Sequence, residues 1–447
     1  MSTIELGEIP TADGDPPAPT GPVRLDRRLV RQVAVVLAAI LCAVALTGSE
    51  VPRDRGVHPL WSVRIADAQG TALTGDAVFV YRIADGSTSF TAHDLATGAV
   101  RWRHTIDGAI GYVQPAETAG MLLIPTQARL VKLPSPNDGS AYQAEIHGET
   151  VALSAATGAE LWRTTGEPYL VSGDTALLTE YDARAKPARM RLIRLSDRGT
   201  IWSRDTSGVD HQSVLPSGEQ PEKIVTADDT GQIKIYAYAS GALVSEGRIP
   251  WVYPRPEEGY FNDLSGTGDV LVVNRSQAET FDLSVYRIDT MTKLWQASDT
   301  DGGASGCGVA LCINDGSGVA AYDPVTGARL WRAEGLANAW QLTRDRVVVS
   351  EGVDGGLMQL VDAATGRVVG EPVEGTLAWS ETEQRSAIVL RSTRSPQDRT
   401  AVTRWDLTTG RQWLLGTVAA VGGPPCSVKP GYLACIHGDD YEINALP

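Results

Sequence analysis

The side chains of this 447-residue sequence best suited to chemistry are its six His and five Cys. His58, His93, His104, His147, His211 and His437 are scattered. None has a second histidine two or four residues further on, so paired imidazole ligation of a metal is not expected. Asp299-Thr-Asp301-Gly-Gly offers calcium-type oxygens, but it lacks the rest of a twelve-residue loop with its bidentate Glu, and it reads as a solvated loop. Asn274-Arg-Ser276 matches the glycosylation acceptor pattern. No Gly-x-Ser-x-Gly elbow and no phosphate-cradling loop occurs. No catalytic residue and no metal ligand is assigned.

The elements that would position such residues are written in a recurring phrase. It reads AHDLATGAVRW from Ala92 to Trp102, ALSAATGAELW from Ala152 to Trp162 and AYDPVTGARLW from Ala321 to Trp331. Weaker copies carry Asp362 with Gly366 and Asp406 with Gly410, and degenerate ones end at Trp202, near Gly241 and at Trp295. A period of roughly 40–50 residues marks a propeller or solenoid. Asp94 and Asp323 open turns in which the carboxylate can accept backbone N–H bonds and a glycine takes positive φ. Gly98, Gly158 and Gly327 each stand four residues before a tryptophan, so each ring falls at the same point of its strand. Trp102, Trp162, Trp202, Trp295 and Trp331 are therefore expected to wedge between neighbouring units as structure, not as binding groups. His93 lies inside the phrase and is expected to face solvent.

This phrase resembles the PQQ-type propeller repeat of quinoprotein dehydrogenases and of outer-membrane-assembly scaffold lipoproteins. The resemblance runs from about His58 to the C-terminus. Literal counting gives nine units, with Pro59–Ile65 and the C-terminal stretch joined in one closing blade that removes the sheet edges. The resemblance implies seven or eight. The expectation is an all-β, eight-bladed PQQ-like propeller in which one unit between Asp210 and Trp295 is not a full blade. Quinoprotein dehydrogenases add an adjacent Cys-Cys pair, a calcium site and a catalytic Asp. The Cys-Cys pair is missing, and no residue matches the other roles, so neither PQQ nor calcium is expected.

Residues 1–28 are Pro-rich and end in a cluster of Arg24, Arg27 and Arg28, with Arg31 close behind; they read as a disordered cytoplasmic tail. Residues 29–49 hold an uncharged run from Gln32 to Ser49, long enough for a thin bilayer, and are expected to be a signal-anchor helix with its N-terminus inside. Ala43-Val-Ala45 leaves a cleaved signal peptide as the rival. Residues 50–57 are a linker, and 58–447 form the propeller outside the cytoplasm. Cys307 with Cys312 and Cys426 with Cys435 each straddle the first hairpin of a unit, so two local disulfides are expected in that oxidising setting. Zinc, with His437 nearby, and free thiols are the rival fates.

Nearly all of the formal charge of −15 lies after residue 57, which argues against nucleic acid as a partner. Three functions stand. The first is a membrane-anchored interaction scaffold with an unidentified protein partner, presenting 134–149 and 251–263. The second is a PQQ-dependent dehydrogenase, and the third a small-ligand sensor.

Overall fold

The computed structural model describes residues 56–134, 141–217, 220–251, 261–277, 280–300, 303–352, 356–380, 385–422 and 426–447. The tail, signal-anchor and linker expected over 1–55 lie outside the described residues. Among the described residues, no helix is long and apolar enough to cross a membrane.

These residues form antiparallel strands and one 3-10 turn, Glu117–Ala119. The second strand of each unit contains a short apolar, often β-branched run, as in Ala77–Ala84 (AVFVYRIA) and Arg346–Ser350 (RVVVS). Val78, Phe79 and Val80 are all 0% exposed, so apolar residues on both faces of one strand are buried at once. That is the pattern of a strand sandwiched between two neighbouring sheets.

Seven sheets have four strands and an eighth has seven. Four-stranded modules occupy 70–107, 114–165, 167–205, 209–248, 261–300 and 304–334. Strand His58–Arg64 pairs antiparallel with Asp440–Ala445, which makes the closing module from both parts of the chain, as the sequence suggested. The seven-stranded sheet spans 338–419. In it, Val373–Leu377 pairs through 373–375 with Gly356–Asp362 and through 376–377 with Ser386–Ser392. One strand therefore serves two modules. Nine hydrophobic clusters follow, one between each module and the next, and the ninth returns to the first.

The segment expected to be incomplete, between Asp210 and Trp295, instead holds two full four-stranded sheets. The defective unit is the one ending at Gly370. Its outer strand is reduced to a single bridge, Val361 to Val368, before Pro372 removes a donor.

A shared lock joins successive modules. The indole N–H of Trp61, Trp102, Trp162, Trp202, Trp295 and Trp331 donates to the carbonyls of Leu95, Ala155, Leu195, Tyr238, Pro324 and Ala363, at 2.8–3.2 Å. In three of these turns, at Asp94, Asp323 and Asp362, and in the equivalent turn at Asp406, an Asp Oδ1 accepts the N–H and hydroxyl of the Thr three residues on. An added Cβ at Gly98, Gly158, Gly241, Gly327 or Gly366 would sit 2.5–2.7 Å from the tryptophan of the preceding module. The glycine is fixed twice, by positive φ and by the ring. Where tryptophan is missing, another donor takes over. Ser245 Oγ donates to the Ile288 carbonyl, and Arg346 Nε donates to that of Leu407 at 2.9 Å. Gly410 packs directly on the Val369–Gly370 backbone.

Trp413 is the exception. It pairs with Arg404 as the other rings pair with their strands, yet it is 42% exposed, with Arg411 stacked 5.6 Å away. It faces the closing module, where the turn between the third and fourth strands is replaced by two strands distant in sequence.

Cys307–Cys312 and Cys426–Cys435 are bonded. Each closes a short loop, so reduction of either should cost only roughly 2–3 kcal/mol, as read by urea unfolding of Cys→Ala pairs. Trp331→Ala should cost about 3–5 kcal/mol through the cavity it leaves. Gly366→Ala should destabilise markedly more than Gly438→Ala. Both positions have positive φ, costing about 1–2 kcal/mol for alanine, but nothing lies within 4 Å of a Cβ at Gly438. Equal losses at the two glycines would remove the ring contact from the account.

Candidate functional site

In a four-stranded meander the first and third turns lie at one end, and the middle turn and the inter-module connection at the other. The Asp-Thr-Gly turns thus occupy one face of the ring. The opposite face carries the longest element among the described residues, the hairpin Met121–Pro134 with Ala141–Ser154, fourteen residues in each strand. The expected binding segment 134–149 belongs largely to this hairpin; its tip, 135–140, and residues 252–260 of the other segment lie outside the described residues.

Side chains at the hairpin base form one connected network. Glu145 and His147 are two apart on a strand, so they share a face. His147 is 3% exposed. Its Nε2 lies 3.1 Å from Glu145 Oε1, its Nδ1 lies 3.4 Å from Glu167 Oε1, and its backbone N–H donates to Glu167 Oε2 at 2.9 Å. The Tyr112 hydroxyl donates to Glu167 Oε1 at 2.9 Å, and its ring meets His147 edge-on. Two modules and the connection that precedes the first of them thereby meet on one carboxylate. Arg129 donates to the Asp182 carbonyl, and Lys186 pairs with Asp210 at 2.8 Å. Further round, Tyr169 donates to the Gln212 carbonyl and His211 lies 4.0 Å from Asp263.

The electrostatics follow from burial. Burial pushes the Tyr112 and Tyr181 hydroxyls up, helped by the charge of Glu167. Burial alone would lower His147 and raise Glu167. The contacts between the two outweigh it, so His147 titrates above its ordinary 6.5 and Glu167 below its ordinary 4.5. His211 lacks so close a carboxylate, and burial keeps it low. The network positions the hairpin: its carboxylates are spent on neighbours, not aimed at a cleft.

A separate pocket of about 210 Å³ lies among inner strands, lined by Thr71, Val113, Trp379, Ser427, Lys429 and Tyr441. Lys429 Nζ is paired with Glu117 Oε1 at 2.6 Å. This volume is below the roughly 300 Å³ of ordinary small-molecule sites. One ammonium, already paired, does not fit a planar tricarboxylate such as PQQ. Among the described residues, no group of three or more His, Cys, Asp or Glu could hold a metal.

One motif match is placed and one sequence expectation is corrected. Asn274 is 6% exposed, and its amide group is bonded at both ends to the Ala304 backbone, so in the folded chain it is a staple between modules, not a glycan acceptor. His93 does not face solvent. It is half-buried, its ring stacks on Trp61 at 5.6 Å, and its Nδ1 lies 3.0 Å from the Gly98 carbonyl oxygen. Of the Asp299–Asp301 loop, Asp301 lies outside the described residues.

A family model described as outer membrane protein assembly factor BamB matches residues 90–271. No curated protein matches the sequence. Among solved structures, BamB from Moraxella catarrhalis is 14% identical, with 87% of this chain and 98% of that chain covered and a TM-score of 0.39. A eukaryotic initiation factor structure is 10% identical over 81% of this chain and 92% of its own, with a TM-score of 0.51. The computationally designed Ika8 protein is 12% identical over 87% and 98%, with a TM-score of 0.44. The chain carries PQQ-like propeller repeats of the kind found in BamB.

The His147–Glu167 contact makes stability depend on pH. The raised His147 contributes fully below its ordinary value and loses the contribution as pH climbs through its folded value. The lowered Glu167 contributes above 4.5 and loses it as pH falls through its own. His147→Gln should therefore lower the melting temperature most between about pH 5 and 6, with the deficit shrinking toward pH 9. A deficit constant across that range would mean that the imidazole stays neutral.

Proposed function

We propose that this chain is an extracytoplasmic propeller, held to the cell membrane by residues 29–49, that acts as a protein-interaction scaffold in envelope assembly. The observation that carries the reading is the long hairpin, which stands on one face of a rigid ring and is pinned at its base by His147, Glu167 and Tyr112. Rigid frames bearing projecting loops are suited to partners. The match over 90–271 to a model named for an assembly factor supports the same class. We read the ring as nine blades, two of them fused through Val373–Leu377.

A second reading, a protein that senses a ligand smaller than PQQ, draws on the pocket beside Trp379, which is 63% exposed.

Two measurements test the proposal. A reporter fused after Pro447 should be active only outside the cytoplasm; a cytoplasmic signal would end the extracytoplasmic reading. A photo-crosslinking residue at Leu130 in native membranes should capture a protein, whereas one at Val325, exposed on the opposite face, should not. Equal capture at both would remove the hairpin face from the proposal. Stoichiometric PQQ binding with calcium and dye-linked turnover would overturn both readings in favour of a PQQ-dependent dehydrogenase.

A further inference from the structure

The long hairpin has two edges, and the protein treats them differently. Strand Ala141–Ser154 is covered. Its 149–153 segment pairs with Glu160–Thr165, the His147 N–H is taken by Glu167, and Ile146 and His147 are buried. Strand Met121–Pro134 is covered only at its start, where Gln114–Ala116 pairs with Met121–Leu123. Beyond Gln127, which breaks the strand with φ 57°, no strand among the described residues pairs with its outer edge. Ala128, Arg129, Leu130 and Lys132 are exposed there, Leu130 by 60%.

An unpaired edge of this kind accepts another strand unless something blunts it. Pro125 and Pro134 bound the segment, but 128–133 contain no proline, so every residue keeps its N–H. Ala128, Leu130 and Lys132 share one face, and Arg129 and Val131 the other. Charge selects the occupant. The protein is strongly acidic, yet Met121–Pro134 holds Arg129 and Lys132 and no carboxylate. Lys132 faces Gln143 across the hairpin, so no carboxylate compensates it there. A second copy of the same edge would set like charges together.

We propose that Ala128–Leu133 is a docking edge for an extended, acidic segment of a partner protein, which joins the hairpin as an added strand. This rests on the scaffold reading and names the partner's chemistry. Apolar residues of the incoming strand lie beside Leu130 and Val131, and its carboxylates lie near Lys132, the Arg129 guanidinium being already bonded to the Asp182 carbonyl.

The test uses an N-acetylated Asp-Val-Glu-Val-Asp-Leu amide and the full chain. Hydrogen exchange at Ala128–Leu133 should slow by about tenfold at saturation, which corresponds to roughly 1.4 kcal/mol of added protection. The same peptide N-methylated on alternate amides should give no protection. Lys132→Glu should weaken binding by about fivefold or more with an unchanged melting curve, and Lys132→Arg should restore it. Protection confined to other segments, or none at saturation, would overturn the proposal, as would slowed exchange at this edge caused by self-association without peptide. If Leu130 crosslinks a protein in membranes but the peptide gives no protection, the edge proposal fails and the scaffold reading stands. If the peptide protects the edge but Leu130 crosslinks nothing, the scaffold reading fails and the edge remains.

Discussion

The structure depends on one polar bond made across every module boundary but the one at Trp413. A donor from one module, usually on its outer strand, reaches a carbonyl in the turn between the third and fourth strands of the next, and a tryptophan ring commonly comes with it. The bond is buried, and a buried carbonyl without a partner is costly. The ring adds apolar area where two sheets would otherwise meet imperfectly. Where the acceptor carbonyl sits in a turn held by Asp and Thr, as at Leu95, Pro324, Ala363 and Leu407, turn chemistry and module packing form one cooperative unit. Position along the strand, angle to the neighbour and the identity of the glycine are set together.

This explains what could and could not be read from residues. Strong copies such as Ala321–Trp331 reveal both halves of the lock, so the repeat, the closing strand and the two cysteine pairs were legible. Ser245 and Arg346 were not, because a hydroxyl and a guanidinium replace an indole without resembling it. The unit ending at Ser245 looked degenerate and is complete; the one ending at Gly370 lost its outer strand and borrowed another. His93 was misjudged, and the role of Asn274 was hidden, for a related reason. Both are polar and near turns, and only the neighbouring module shows what covers them.

The hairpin network was legible in principle and was missed. Glu145-Ile-His147-Gly-Glu149 places an acid, an imidazole and an acid on one strand face. Histidine spacing was read for a second histidine, not for carboxylates. The decisive partner, Glu167, lies in the following module and carries no motif. Its role comes from topology: the connection between modules returns to the end where the hairpin emerges. The same topology separates the two faces, leaving repeated turns to hold the ring and the other end to vary.

The lock has two owners, since one module supplies the ring and the next supplies the glycine. Neither half is useful alone, and no single repeat contains a whole lock of its own. Recombination at equivalent points of two tryptophan-bearing repeats would therefore restore a complete lock, because each cut end carries the half that its new neighbour lacks. The boundaries served by Ser245 and Arg346 are not interchangeable with these, and neither is the closing module. There the missing turn leaves Trp413 without its glycine and Arg411 resting on the ring.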